Sequence, residues 1–151
     1  MEQKLRVVIV GTHIGSHHIR AFKGLPDLFD VIDIFGLKVE QVRNAAKEIN
    51  IPHLSTDNND LYAMDNLDVI DLCTPSHLHT EQVLATLAAN KHVICEKPVA
   101  GSLKEADDLI EAEATSGKRV MPIFQYRFGH GVQKLQFLIR EGLAGQASSE
   151  P

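Results

Sequence analysis

Short apolar runs alternate with amphipathic stretches along the whole chain, and this alternation constrains the fold more than any single motif. Leu5–Val10, Val31–Phe35, Leu67–Cys73, Lys91–Glu96 and Arg119–Ile123 read as strands, with His53–Ser55 a shorter one. Ile14–Gly24, Val39–Ile49, Asn58–Met64, Ser76–Asn90, a stretch opening at Ser102 and Gly131–Glu141 read as helices. Helical spacing gathers Val39, Val42, Ala45, Ala46 and Ile49 on one face, and turns Val83, Leu84, Leu87 and Ala88 inward. It likewise groups Leu103, Ala106, Leu109 and Ile110, and in the last helix Val132, Leu135, Leu138 and Ile139. Asp57 and Ser76 occupy N-cap positions, Ser102-Leu-Lys-Glu105 forms a capping box, and Gly117 suits a C-terminal cap. Such alternation predicts an α/β fold, a doubly wound parallel sheet with helices on both faces.

The length of 151 residues suits one domain, with 44% hydrophobic and 23% charged residues. Residues 1–145 are expected to form it, and residues 146–151 to be a tail or the start of a crossing into something else. The net charge of −5 without a basic run argues against nucleic acid as a partner. Val7–Val10, the longest aliphatic run near the N-terminus, is too short for a signal-peptide core or a membrane span. A cytoplasmic protein is expected, with Cys73 and Cys95 reduced inside their strands.

Six strands suit the order 3-2-1-4-5-6 of the Rossmann-type dinucleotide fold, which binds its ligand at the carboxyl ends of the strands. The loop after the first strand, Gly11-Thr-His-Ile-Gly-Ser-His-His18, has two glycines where G-x-G-x-x-G is wanted. His13 holds the middle place and the loop is one residue short, so it is equally an ordinary strand-to-helix turn. Near the end of the second strand an acid should bond the adenosine ribose, but Gly36 holds that position. Lys38 is either a partner for a 2′-phosphate, favouring NADP, or a solvated charge.

Two loops carry more. In Thr74-Pro-Ser-His77, Pro75 holds Thr74 extended and the next helix directs its free amides into the cleft. In Glu96-Lys97-Pro98, a lysine at a strand end can hold a substrate hydroxyl and adjust its acidity. Asp68-Val-Ile-Asp-Leu-Cys-Thr-Pro-Ser-His-Leu-His79, followed by Ala88-Ala-Asn-Lys-His-Val-Ile-Cys-Glu-Lys-Pro-Val-Ala100, closely resembles the glucose–fructose oxidoreductase/inositol dehydrogenase (Gfo/Idh/MocA) family. The resemblance runs from Leu5 to about Gly145 and includes Ile14-Gly-Ser-His-His18 and Phe124-Gln-Tyr-Arg-Phe128, where the family commonly has Asn in place of Gln125.

The resemblance implies an NAD- or NADP-dependent oxidoreductase acting on sugars, polyols and their derivatives. It implies that Gly11, His13, Ile14, Thr74, Pro75, His77, Glu96 and Gln125 line the dinucleotide. It makes Lys97 the catalytic residue at the substrate hydroxyl, places Arg127 near the site, and gives His79 a supporting role in its turn. It also implies a C-terminal substrate domain, absent from this sequence, that usually supplies a catalytic histidine. His130 does not fill that role, because it opens the helix after strand six. This chain alone is therefore expected to turn over little or nothing. The alternative is a non-enzymatic module that senses a dinucleotide. The resemblance also allows a homo-oligomer.

The eight histidines raise the question of a metal. His13, His17 and His18 lie close in sequence, as do His77 and His79, but i,i+2 pairs do not share a helix face. No acid or cysteine is expected to complete a zinc site, and no metal is expected.

Overall fold

The computed structural model describes residues 3–36, 40, 42, 53–55, 58–143 and 145. Among these, six strands form one parallel sheet in the order β3-β2-β1-β4-β5-β6, as the sequence predicts. The strands are β1 (Leu5–Val10), β2 (Phe29–Phe35), β3 (His53–Ser55), β4 (Val69–Leu72), β5 (His92–Cys95) and β6 (Val120–Pro122). The helices are α1 (Gly15–Lys23), α2 (Asn58–Ala63), α3 (His79–Ala88), α4 (Leu103–Ser116) and α5 (His130–Arg140). Glu40 and Val42 are helical, and the rest of the expected Val39–Ile49 helix lies outside the described residues, as do Lys38 and Asp57.

The period of two along β1 sorts its side chains into two cores. Val8 and Val10 join Ile70, Leu72, Val93 and Cys95 beneath Leu61 of α2, Val83 and Leu87 of α3 and Leu109 of α4. Val7 and Ile9 join Ile34, Val69 and Cys73 beneath Ile19 and Phe22 of α1 and beneath Val42. The chain starts at β1 and winds outward to β3, then crosses to β4 and winds out the other way. The crevice between β1 and β4 is therefore the point where the strand order reverses, the usual ligand site of open α/β sheets.

Several local expectations hold. Ser102 Oγ accepts the Glu105 amide at 3.2 Å, and Gly117 closes α4 at φ +67°. The returning half of the capping box is different: Glu105 reaches one residue further back and accepts the Gly101 amide at 2.6 Å. Ser76 does not cap a helix. It opens a 3-10 turn over Ser76–Leu78 with no side-chain cap, and the α-helix proper starts at His79. Pro75, extended at ψ 140°, delivers the chain into that tighter turn.

Helical spacing overestimates the burial of three faces. Ala88 is exposed at the end of α3. On α4 only Leu109 is buried, while Leu103 and Ile110 are 87% and 65% exposed. No residue of α5 is buried, and Val132, Leu135 and Ile139 lie open together with Phe137. A 3.6-residue stripe shows that a face is apolar and does not say what covers it.

Candidate functional site

Three loops meet at the carboxyl edge of the sheet. The first leaves β1 through Gly11, whose φ is +108° and whose place would put a Cβ only 2.4 Å from the Cys73 carbonyl oxygen. Only glycine lets the β1 loop run this close to the end of β4. Gly15 does the same for helix packing, because a Cβ there would lie 2.8 Å from the Ile9 side chain. The missing middle glycine has not prevented the turn. His13 is exposed, and its carbonyl accepts the Ser16 hydroxyl at 2.9 Å. Helix α1 begins at Ile14–Gly15 with no side-chain cap and no acid in its first turn. Its N-terminal amides and positive dipole end are thus left without a competing carboxylate, which fits a pyrophosphate.

The second loop places Thr74 at the crevice, half-buried, with its hydroxyl donating to Gln82 Oε1 at 2.5 Å. Pro75 and His77 are exposed. The third carries Glu96, buried, and Lys97, exposed, with a cis peptide before Pro98. His79 ties these two loops together, since Nδ1 lies 2.7 Å from the Pro98 carbonyl oxygen and Nε2 2.9 Å from that of Thr74. Beside Lys97 opens an apolar groove of about 790 Å³, walled by Val99, Ala100, Leu103 and Ala106 and by the 3-10 turn bearing Gln125 and Arg127. Gln125 and Lys97 thus share one cavity.

At the end of β2, Gly36 leaves no room for a larger residue as the side chains stand. A Cβ there would meet Val42 at 2.8 Å and Thr12 at 3.4 Å. Asp33, three residues earlier, is buried and accepts the Ile34 amide at 2.7 Å.

Sequence reasoning missed the cluster beneath these loops. Asp71, fully buried in β4, has its carboxylate 2.8 Å from His18 Nδ1. His18 Nε2 faces Glu96 Oε1 at 3.2 Å, and the Cys73 thiol lies 3.3 Å from Nδ1. An acid and a cysteine therefore do join a histidine, contrary to expectation. His18 meets both at hydrogen-bond spacing, 2.8 Å to Asp71 and 3.3 Å to Cys73. The two carboxylates raise the His18 pKa above the ordinary imidazole value, with Asp71 the larger contributor and burial opposing it. Burial pushes the Asp71 carboxyl upward against the pull of His18. Both effects favour keeping a proton within the cluster. The signal available beforehand was Asp71 itself, a carboxylate in an otherwise aliphatic central strand, which needs a buried partner.

Residues 5–124 match an oxidoreductase family with an NAD-binding Rossmann fold. The chain belongs to this family, Gfo/Idh/MocA, as its strand-end loops suggest. It is similar to an inositol 2-dehydrogenase of Pseudomonas savastanoi, with 30% identity over 94% of this chain and 43% of the relative. It is also 30% identical to a 4-carboxy-2-hydroxymuconate-6-semialdehyde dehydrogenase of a Sphingobium species, over 81% of this chain and 41% of the relative. Among solved structures it resembles the WlbA dehydrogenase of Bordetella pertussis in complex with NADH and UDP-GlcNAcA. There the TM-score is 0.88 and the identity 27%, over 95% of this chain and 44% of that one. A levoglucosan dehydrogenase in complex with NADH and levoglucosan gives a TM-score of 0.86 at 28% identity, over 95% of this chain and 41% of that one. The chain thus spans less than half the length of these relatives. Among the described residues, no helix is long and apolar enough to cross a membrane.

Proposed function

We propose that this chain binds NAD or NADP across the β1–β4 crevice and is the cofactor half of an oxidoreductase acting on a sugar- or polyol-type substrate. The open N-terminus of α1, brought against the end of β4 by Gly11 and Gly15, is the observation that carries the reading. There the backbone amides of the first turn hold the pyrophosphate. Gly11, His13 and Ile14 line it on one side. Thr74, Pro75, His77 and Glu96 line the nicotinamide end, with Gln125 across the groove. When bound, the dinucleotide supplies a hydride acceptor or donor at its nicotinamide ring. Lys97, exposed at the mouth of the groove, orients the substrate oxygen at the carbon that gains or loses hydride and moderates its acidity.

Residues 1–145 make up this cofactor unit. A further domain, of the kind that occupies the other half of the relatives, would close the groove and supply a proton-transfer partner for Lys97. Turnover by the 151 residues alone is expected to be little or none. The substrate class is inferred from relatives that include an inositol dehydrogenase and a levoglucosan dehydrogenase.

A second reading is a dinucleotide-sensing module without turnover. It is favoured by Gly36, which removes the ribose acid, and by the shortened first loop. Association with a protein partner that depends on cofactor, with no turnover in a longer protein carrying this segment, would select it.

The test is calorimetric titration of the folded chain with NAD(H) and NADP(H) separately. Saturable binding of either supports a working cofactor site. No binding of either by a demonstrably folded sample overturns the proposal.

A further inference from the structure

Glu96 is one of the most constrained side chains at the crevice. It is 8% exposed, one carboxylate oxygen faces His18 Nε2 at 3.2 Å, and the other accepts its neighbour Lys97's amide at 3.1 Å. A carboxylate has about four acceptor sites, so two remain for a ribose hydroxyl. What fixes it lies a layer deeper. His18 is held by Asp71, which is inaccessible to water and reaches Nδ1 at 2.8 Å. Three residues from α1, β4 and the loop after β5 thus form a carboxylate–imidazole–carboxylate chain that ends at the crevice.

We propose, resting on the dinucleotide reading above, that His18 is a positioning residue for Glu96, holding the Glu96 carboxylate for the cofactor only while both ring nitrogens carry protons. An imidazolium donates from both nitrogens, whereas a neutral imidazole donates from one and accepts at the other. Loss of the proton leaves Nδ1–H on Asp71, the shorter of the two contacts, and turns a bare Nε2 lone pair toward Glu96. The contact then changes from a charge-assisted hydrogen bond to a repulsion between two acceptors. Glu96 is released, and the crevice loses a fixed acceptor.

The groups around the ring agree on the direction. Asp71 on β4 and Glu96 after β5 face it directly, and the Cys73 thiol at the end of β4 lies against Nδ1. Cys95 on β5 lies near the same two carboxylates. Both acids favour the protonated ring, and burial opposes it. On the helix itself, Gly15 lets the first turn approach β1 closely enough for His18 to reach β4.

The first experiment needs no cofactor. The His18 ring carbons and the Glu96 δ-carbon of the whole chain are followed by NMR from pH 5 to pH 10. A shared midpoint above the ordinary imidazole range, lowered by Asp71→Asn, supports the chain. A Glu96 δ-carbon that does not respond through the His18 transition overturns it. The second experiment is calorimetry with NADH across the same range. Affinity should fall about tenfold through the His18 midpoint, the size of one charge-assisted hydrogen bond. His18→Gln, which keeps a donor without a titrating proton, should flatten that profile. A wild-type affinity independent of pH overturns the positioning role. Absence of binding at every pH removes that role along with the dinucleotide reading, and the cofactor-free titration then shows whether the chain of hydrogen bonds itself stands.

Discussion

The Nδ1 atom of His79 lies 2.7 Å from the carbonyl oxygen of Pro98, joining the first residue of α3 to the loop that follows β5. The opposite ring nitrogen reaches Thr74, so one buried imidazole spaces the two loops that carry the family's motifs. His79→Ala would remove the ring that bridges the two carbonyls and leave a cavity behind it. It is expected to cost about 3 kcal/mol of stability, and to weaken dinucleotide binding as the loops separate. His79→Gln, which keeps a side-chain N–H to donate, should lose less. Urea unfolding midpoints of the two variants check the order, and equal losses would mean that the hydrogen bonds are not what holds the loops.

Cofactor choice is expected to depend on packing behind the second strand. Gly36 stands where a ribose-binding acid is expected, and the Val42 side chain occupies the space its Cβ would need. Gly36→Asp alone should therefore destabilise the fold by about 1–3 kcal/mol through overpacking. Combined with Val42→Ala, the acid can be accommodated. The double variant should shift the ratio of NAD to NADP affinity toward NAD by about tenfold, as an acid at this position favours the ribose hydroxyl over a phosphate. Calorimetry with both dinucleotides reads the ratio. An unchanged ratio in a stable double variant would show that this corner does not meet the adenosine ribose.

The sheet order was legible because strand and helix signals alternate without interruption, and parallel strands buried on both faces read as aliphatic runs such as Val7–Val10, with Asp71 the one polar residue in Val69–Leu72. Tertiary neighbours were less legible. Leu103 and Ile110 have the spacing of a buried stripe yet face water, because periodicity records the chemistry of a face and not its partner. The Asp71–His18–Glu96 chain joins residues 53 and 78 positions apart, and no local pattern encodes such a meeting. Asp71 could have announced it, since a lone acid in a central strand demands a partner. The Ser76 expectation failed for a local reason: the chain leaves Pro75 into a 3-10 turn, so the α-helix begins three residues later.

Both cysteines should be inert in the folded protein. Cys95 is fully buried, and burial with the nearby carboxylates of Asp71 and Glu96 pushes its thiol up to about 12. The same causes push the Cys73 thiol up further. The thiolate is the reactive species, so alkylation at pH 8 should be slow for both and should rise together in denaturant. Mass spectrometry after a timed pulse of iodoacetamide counts the modified sites. Rapid labelling of Cys73 alone without denaturant would mean that the cluster around His18 opens locally.

Stability should peak near neutral pH, with separate groups shaping each limb. His18 has a raised pKa in the folded state, so its contribution is complete below the unfolded imidazole value of about 6.5 and is lost as pH rises through the folded value. Asp71, also raised, acts in the same sense. His92 acts in the opposite one. Burial, then Lys118 and Arg119, lower its pKa, and its Nδ1 accepts the Arg119 amide at 3.2 Å. Its contribution is therefore present above about 6.5 and lost as pH falls through its folded value. Asp68 adds a further acid loss, because its bond to Arg6 lowers its pKa and that stabilisation disappears once the carboxylate is protonated. Thermal melts from pH 4 to pH 9 should thus decline on both sides of the maximum. His18→Gln should flatten the alkaline limb and leave the acid limb, and His92→Gln should flatten the limb just below pH 6.5 and leave the alkaline one. An alkaline decline that survives His18→Gln unchanged would place the titrating proton on a group other than His18.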